Sequence, residues 1–124
     1  MQKKRPKHLA LHLIKLPLPG LVSILHRISG LALFLALPLL LLMLQYSLRS
    51  TESFSSLQDI LANPLLKLLS LGLLWSFLHH FCAGLRYLAI DMHYINNLKM
   101  ARDSSKVVLL VSLLLTILIG AKLW

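Results

Sequence analysis

An all-α integral membrane protein with three transmembrane helices is predicted by three observations. Of the 124 residues, 57% are hydrophobic. The mean hydropathy is +0.76, and only four side chains are acidic, too few to clothe a water-soluble surface. Three apolar stretches, at about residues 21–48, 64–91 and 107–123, are long enough to cross a bilayer. No stretch alternates with the period of two that a strand requires, which argues against a β-barrel.

The first segment follows a short basic leader carrying Lys3, Lys4, Arg5, Lys7 and Lys15, from which Pro19-Gly20 is expected to separate it. Pro38 lies inside the segment and frees a carbonyl one turn earlier, a place for a kink. The second segment starts at Asn63-Pro64, an N-cap followed by proline at the first helical position, where its missing N–H costs nothing. The third is expected to open at Asp103-Ser104-Ser105. Its Ser112, Thr116 and Gly120 recur every four residues, the spacing of a packing seam between membrane helices. At about 1.5 Å per residue the first two segments reach roughly 40 Å, more than a hydrocarbon core of about 30 Å, so they tilt or project beyond it.

A formal charge of +9 suggests nucleic acid in a soluble protein, but its placement here argues for a membrane. The leader is basic, and Lys99, Arg102 and Lys106 stand between the second and third segments with Asp103 alone against them. Between the first and second, Arg49 and Lys67 are balanced by Glu52 and Asp59. The positive-inside rule then puts the N-terminus and the second loop in the cytoplasm, and the first loop and the C-terminus outside. The basic stretches also suit anionic lipid headgroups. No cleavage site and no Arg- and Ser-rich presequence stand out, which favours a bacterial plasma membrane. Cys82 is the single cysteine and mid-segment reads as a small packing residue. Without repeats or linkers, residues 1–124 form one domain.

Two polar clusters interrupt the apolar pattern. In the second segment His80, Gly84, Tyr87 and Asp91 follow the i, i+4, i+7, i+11 spacing of one helical stripe. Ionisable groups in hydrocarbon are costly, about 2.5–3.5 kcal/mol for Lys, Arg or Asp on the insertion scale, which marks the stripe as functional. His79 lies about 100° round the helix and leaves the stripe. In the first segment Ser23, His26, Arg27 and Gly30 share a face at its basic end, and Arg86 and Asp91 approach the same side. A neutral imidazole in an apolar interior suits a haem iron. Gly84 removes a side chain where a flat macrocycle would approach the helix, and His26, Arg27 or Arg86 would meet its propionates. The same hydroxyl and guanidinium, Ser23 and Arg27, suit the carbonyl oxygens of a quinone. The bland alternative is that the arginines snorkel to headgroups and the histidines only bridge helices.

At these residues the chain resembles the cytochrome b subunit of succinate dehydrogenase, the larger of its two membrane anchors. The family pattern of Arg-Pro is met by Arg5-Pro6, and Ser-x-x-His-Arg-x-Ser/Thr-Gly by Ser23 through Gly30. His-x-x-x-Gly-Leu/Ile-Arg-His with a downstream Asp is met by His80, Gly84, Leu85, Arg86 and Asp91. Two positions depart from it: Tyr87 stands where the family has histidine, and Lys7 where a small or apolar residue is usual.

The resemblance implies a helical bundle completed by a second small anchor subunit, whose histidine would ligate the haem b opposite His80. It implies that Ser23 and Arg27 line a ubiquinone site, and that His26, Arg27, Gly84, Arg86 and Tyr87 surround the haem and its propionates. Asp91 would pair with an arginine or help deliver protons. The resemblance further implies a flavoprotein and an iron–sulfur protein as the remaining partners; this chain itself shows no dinucleotide fingerprint and no cysteine cluster. A fumarate reductase anchor would share the same features.

Overall fold

The structure, a computed structural model, describes residues 15–124. Arg5-Pro6, Lys7 and the rest of the basic leader up to residue 14 lie outside the described residues. Four helices follow in order: α1 Leu18–Ser47, α2 Thr51–Leu61, α3 Pro64–Asp91 and α4 Leu98–Leu123. Three of them, α1, α3 and α4, are long and apolar enough to cross a membrane, and no strand occurs among the described residues. The protein is an all-α, multi-pass membrane protein.

Helix α3 has the bounds that its sequence signals predict. The Asn63 side chain accepts a hydrogen bond from the Leu65 N–H at 2.9 Å, and Pro64 takes the first helical position. At its other end the Tyr94 N–H reaches the Ala89 carbonyl (3.0 Å) and the His93 N–H that of Ile90 (2.9 Å). With His93 at φ 62° this is a Schellman closure, carried by histidine where glycine is commoner.

The other two boundaries differ from expectation. Helix α1 begins at Leu18, so Pro19 and Gly20 lie in its first turn and do not precede it. Proline is at home there, because first-turn N–H groups have no intrahelical partner. Helix α4 begins at Leu98, before the expected Asp103-Ser104-Ser105 opening and nine residues before the apolar span at 107, with the Asn97 side chain accepting from the Met100 N–H at 2.8 Å. Ser104 and Ser105 are therefore interior residues. Their hydroxyls bond back to the Ala101 carbonyl at 3.2 and 2.7 Å, and Asp103 pairs with Lys106 at 3.6 Å. Hydropathy marks the part of a helix that meets lipid, and α4 projects about two to three turns beyond that part.

Helix α2 lies in the segment expected to be a plain loop. Ser50 caps it, accepting from the Ser53 N–H at 3.0 Å, and Glu52 occupies its positive first turn. Its Leu57, Ile60 and Leu61 line an apolar groove of about 420 Å³ with Ala36, Leu40 and Met43 of α1 and Leu69 of α3. Glu52, Gln58 and Asp59 are exposed, as in a helix that lies along a membrane surface.

Helix α3 packs against both α1 and α4. The apolar core is small, comprising Val22, Ala83 and Val108 with Cys82, Tyr87 and Leu109 packed against it. Large apolar side chains such as Phe34, Leu68 and Ile117 face outward, while Ser29, His79, Arg86, Ser105, Ser112 and Thr116 are buried. That inversion is expected where lipid is the solvent and small or polar residues join the helices. The Ser112, Thr116 and Gly120 seam is buried as the spacing predicts. At Gly120 a Cβ would come within 2.6 Å of Leu71, so glycine permits the close approach of α4 to α3.

Candidate functional site

The helical periodicity of α1 and α3 brings three of the four stripe residues against one residue of the other cluster. The rings of His26 and His80 stack with centroids 4.1 Å apart and planes 7° from parallel. Tyr87 lies 5.1 Å from the His26 ring, tilted by 60°. A Cβ on Gly84 would meet only His26 Nε2, at 4.0 Å, so the edge of that ring is the one group that approaches α3 there among the described residues. His26, His80, Gly84 and Tyr87 are all half-buried at the α1–α3 seam.

His80 is held from the α1 side. Its Nδ1 lies 3.0 Å from the His26 carbonyl oxygen and 3.4 Å from the Ser29 hydroxyl. Ser29 itself donates to the same carbonyl at 2.9 Å. Gly30 lies against the ring, where a Cβ would come within 2.9 Å of His80 Cε1 and 3.2 Å of Nδ1. Gly30 stands on the face that the spacing of the first cluster marks, whereas nothing in that spacing marks Ser29. Both stand in the Ser-x-x-His-Arg-x-Ser-Gly run, but that they touch His80 depends on the register between α1 and α3.

His79 occupies a different environment. It is fully buried and stacks on Trp75 at 5.1 Å between centroids. Neither ring nitrogen has a hydrogen-bond partner among the described residues. A side chain enclosed by packed helices has no room beside it for a macrocycle, so the burial of the two neighbours separates a core histidine from an accessible one.

The remaining predicted residues divide. Ser23 is half-buried and Arg27 exposed, one turn apart near the start of α1. Arg86 does not snorkel: it is buried, with Nε donating to the Ser104 hydroxyl (3.0 Å) and a terminal nitrogen donating to the Ala101 carbonyl (3.2 Å). Its guanidinium also lies 5.6 Å from the Tyr87 ring centroid. The expected approach of Arg86 to a propionate thus meets a competing engagement with α4. Asp91 is exposed at the end of α3 and forms no ion pair among the described residues.

Among the described residues, no three His, Cys, Asp or Glu side chains converge to hold a bare metal ion. One accessible imidazole beside a glycine suits a metal that arrives with ligands of its own, as haem iron does.

Residues 1–119 match the family model described as succinate dehydrogenase/fumarate reductase transmembrane subunit. The chain is similar to the succinate dehydrogenase cytochrome b556 subunit of Coxiella burnetii, with 37% identity over all of both chains. It is 32% identical to that of Rickettsia felis over 94% of this chain and 90% of the relative. The similarity to that of Paracoccus denitrificans is 30%, over 92% of this chain and 88% of the relative.

Proposed function

The chain belongs to the succinate dehydrogenase/fumarate reductase transmembrane subunit family, and from that premise we propose that it is the haem b-binding membrane anchor of a bacterial succinate dehydrogenase. In this role it helps form the site where electrons from a flavoprotein and an iron–sulfur protein reach a ubiquinone-class quinone. The observation that supports it best is the pairing of a half-buried His80 with Gly84 on the same stripe of α3, where only the edge of the His26 ring approaches the glycine. The names of the relatives favour succinate oxidation over fumarate reduction.

His80 would be the iron ligand contributed by this chain, with a histidine of a second small anchor subunit as the other. His26 and Tyr87 border the group beside His80, with Arg27 near the propionates. Haem b supplies one-electron storage close to the quinone. Ser23 donates a hydrogen bond to a quinone oxygen, and Arg27 places a positive charge where negative charge develops as that oxygen is reduced. Fixed charges at such positions are the general means of electrostatic catalysis. Arg86 braces α3 against α4, and Asp91 at the cytoplasmic end of α3 is available for proton exchange with water. Residues 1–124 act as one domain.

Affinity purification of the tagged chain from mild detergent tests this reading. The expected preparation contains three further subunits and couples succinate oxidation to quinone reduction. Recovery of the chain alone, or of a complex without that activity, would contradict it.

In this reading the N-terminus and the α3–α4 loop face the cytoplasm and α2 lies outside, an orientation that the distribution of basic residues supports. In a Cys82→Ala background, Ser55→Cys on α2 is expected to react with an impermeant maleimide in intact spheroplasts. Arg102→Cys, also at an exposed position, should react only after lysis. The opposite pattern reverses the orientation and moves Ser23 and Arg27 to the wrong side.

A further inference from the structure

The contacts on His80 carry information beyond its identity as a ligand. We propose that the stretch of α1 from His26 to Gly30 is a socket that fixes both the tautomer and the ring plane of His80. The proposal rests on the assignment of His80 to haem iron. A backbone carbonyl only accepts hydrogen bonds, so the 3.0 Å contact between the His26 carbonyl and His80 Nδ1 requires the proton to be on Nδ1. Nε2 then keeps its lone pair, and no described residue hydrogen-bonds to it. The imidazole is thereby set to bind iron through Nε2, and its N–H···O=C bond increases the electron donation of the ring.

Two further contacts fix the plane. His26 covers one face of the ring at 4.1 Å and 7°. At Gly30 the helix backbone stands so close that an added methyl would lie 2.9 Å from Cε1 and 3.2 Å from Nδ1. Any side chain at position 30 must push the imidazole away from the carbonyl. The His26 ring stacked on one face limits the directions in which the imidazole can move. Gly30 is thus a positioning residue for the ligand and touches neither iron nor quinone. The Ser29 hydroxyl donates to the same carbonyl at 2.9 Å and helps hold it in place.

The test uses the purified four-subunit complex and reads the haem directly. Gly30→Ala is expected to rotate or withdraw His80. The low-spin electron paramagnetic resonance signal should shift, the midpoint potential should change, and haem should be retained about 10–100-fold less tightly. Wild-type signal position, potential and haem content in that variant would overturn the proposal.

Since Gly30→Ala could also disturb assembly, a second variant isolates the hydrogen bond. His80→Gly leaves the socket in place for an added ligand. Imidazole, which can donate to the carbonyl, should restore the low-spin spectrum at concentrations about 10-fold or more below those needed for 1-methylimidazole, which cannot. Equal restoration by the two would also overturn the socket. If His80→Gly keeps the wild-type spectrum with nothing added, His80 is not the ligand and the underlying haem assignment fails instead.

Discussion

Replacing Arg27 with leucine is expected to lower succinate:quinone turnover by about 10²–10³-fold, the loss typical of removing one donor from a site of developing charge. Electron delivery from succinate to water-soluble dye acceptors should be unchanged, because those are served by the soluble subunits. Arg27 is exposed in the isolated chain and carries no hydrogen bond to another described residue, so its loss should not weaken the fold. It also stands near the proposed propionates, which makes Ser23→Ala the cleaner companion. Ser23 bears no charge, and losing one neutral hydrogen bond, worth about 0.5–1.5 kcal/mol, predicts a fall of roughly 2–10-fold in kcat/KM for quinone. Unchanged quinone kinetics in an assembled Ser23→Ala complex would show that the hydroxyl does not contact the substrate. Equal losses with quinone and with dyes in Arg27→Leu would place its effect elsewhere.

The second large effect separates two adjacent histidines. His80→Ala should remove the iron ligand of this chain, so the purified complex should lose haem or turn high-spin. His79→Ala should act through packing. The ring is fully buried against Trp75, and emptying such a site costs about 2–4 kcal/mol. That loss should lower the thermal stability of the complex while the haem bands of the assembled fraction keep their positions. Haem content, spin state and melting temperature measured on both variants distinguish the two roles. Loss of haem bands in His79→Ala with retention in His80→Ala would exchange the assignments.

Why some features were legible in the sequence and others were not follows from the range of the forces involved. The start of α3 depends on Asn63 and Pro64, which act within one turn of themselves, and the helix begins where they predict. The stripe of His80, Gly84 and Tyr87 depends only on helical phase, and all three residues approach His26. Arg86 was grouped with the same pocket, although six residues from His80 is about 600° of rotation, which turns it toward α4. The early start of α4 is not legible because hydropathy reports contact with lipid, and residues 98–106 are helical without being apolar. Helix α2 is hidden for a related reason: its Leu57, Ile60 and Leu61 form too short an apolar set among polar neighbours to register as a span. The burial of His79 and the Gly30–His80 contact depend on the axial register of two helices, which neither helix encodes alone.

The most direct test of the central claim is the reduced-minus-oxidised optical spectrum of the complex purified through this chain, with haem counted against protein by the pyridine haemochrome. The predicted result is a low-spin b-type spectrum with one haem per complex. A complex that oxidises succinate and reduces quinone with no b-type bands would contradict the assignment of His80 and the reason given for the polar stripe on α3.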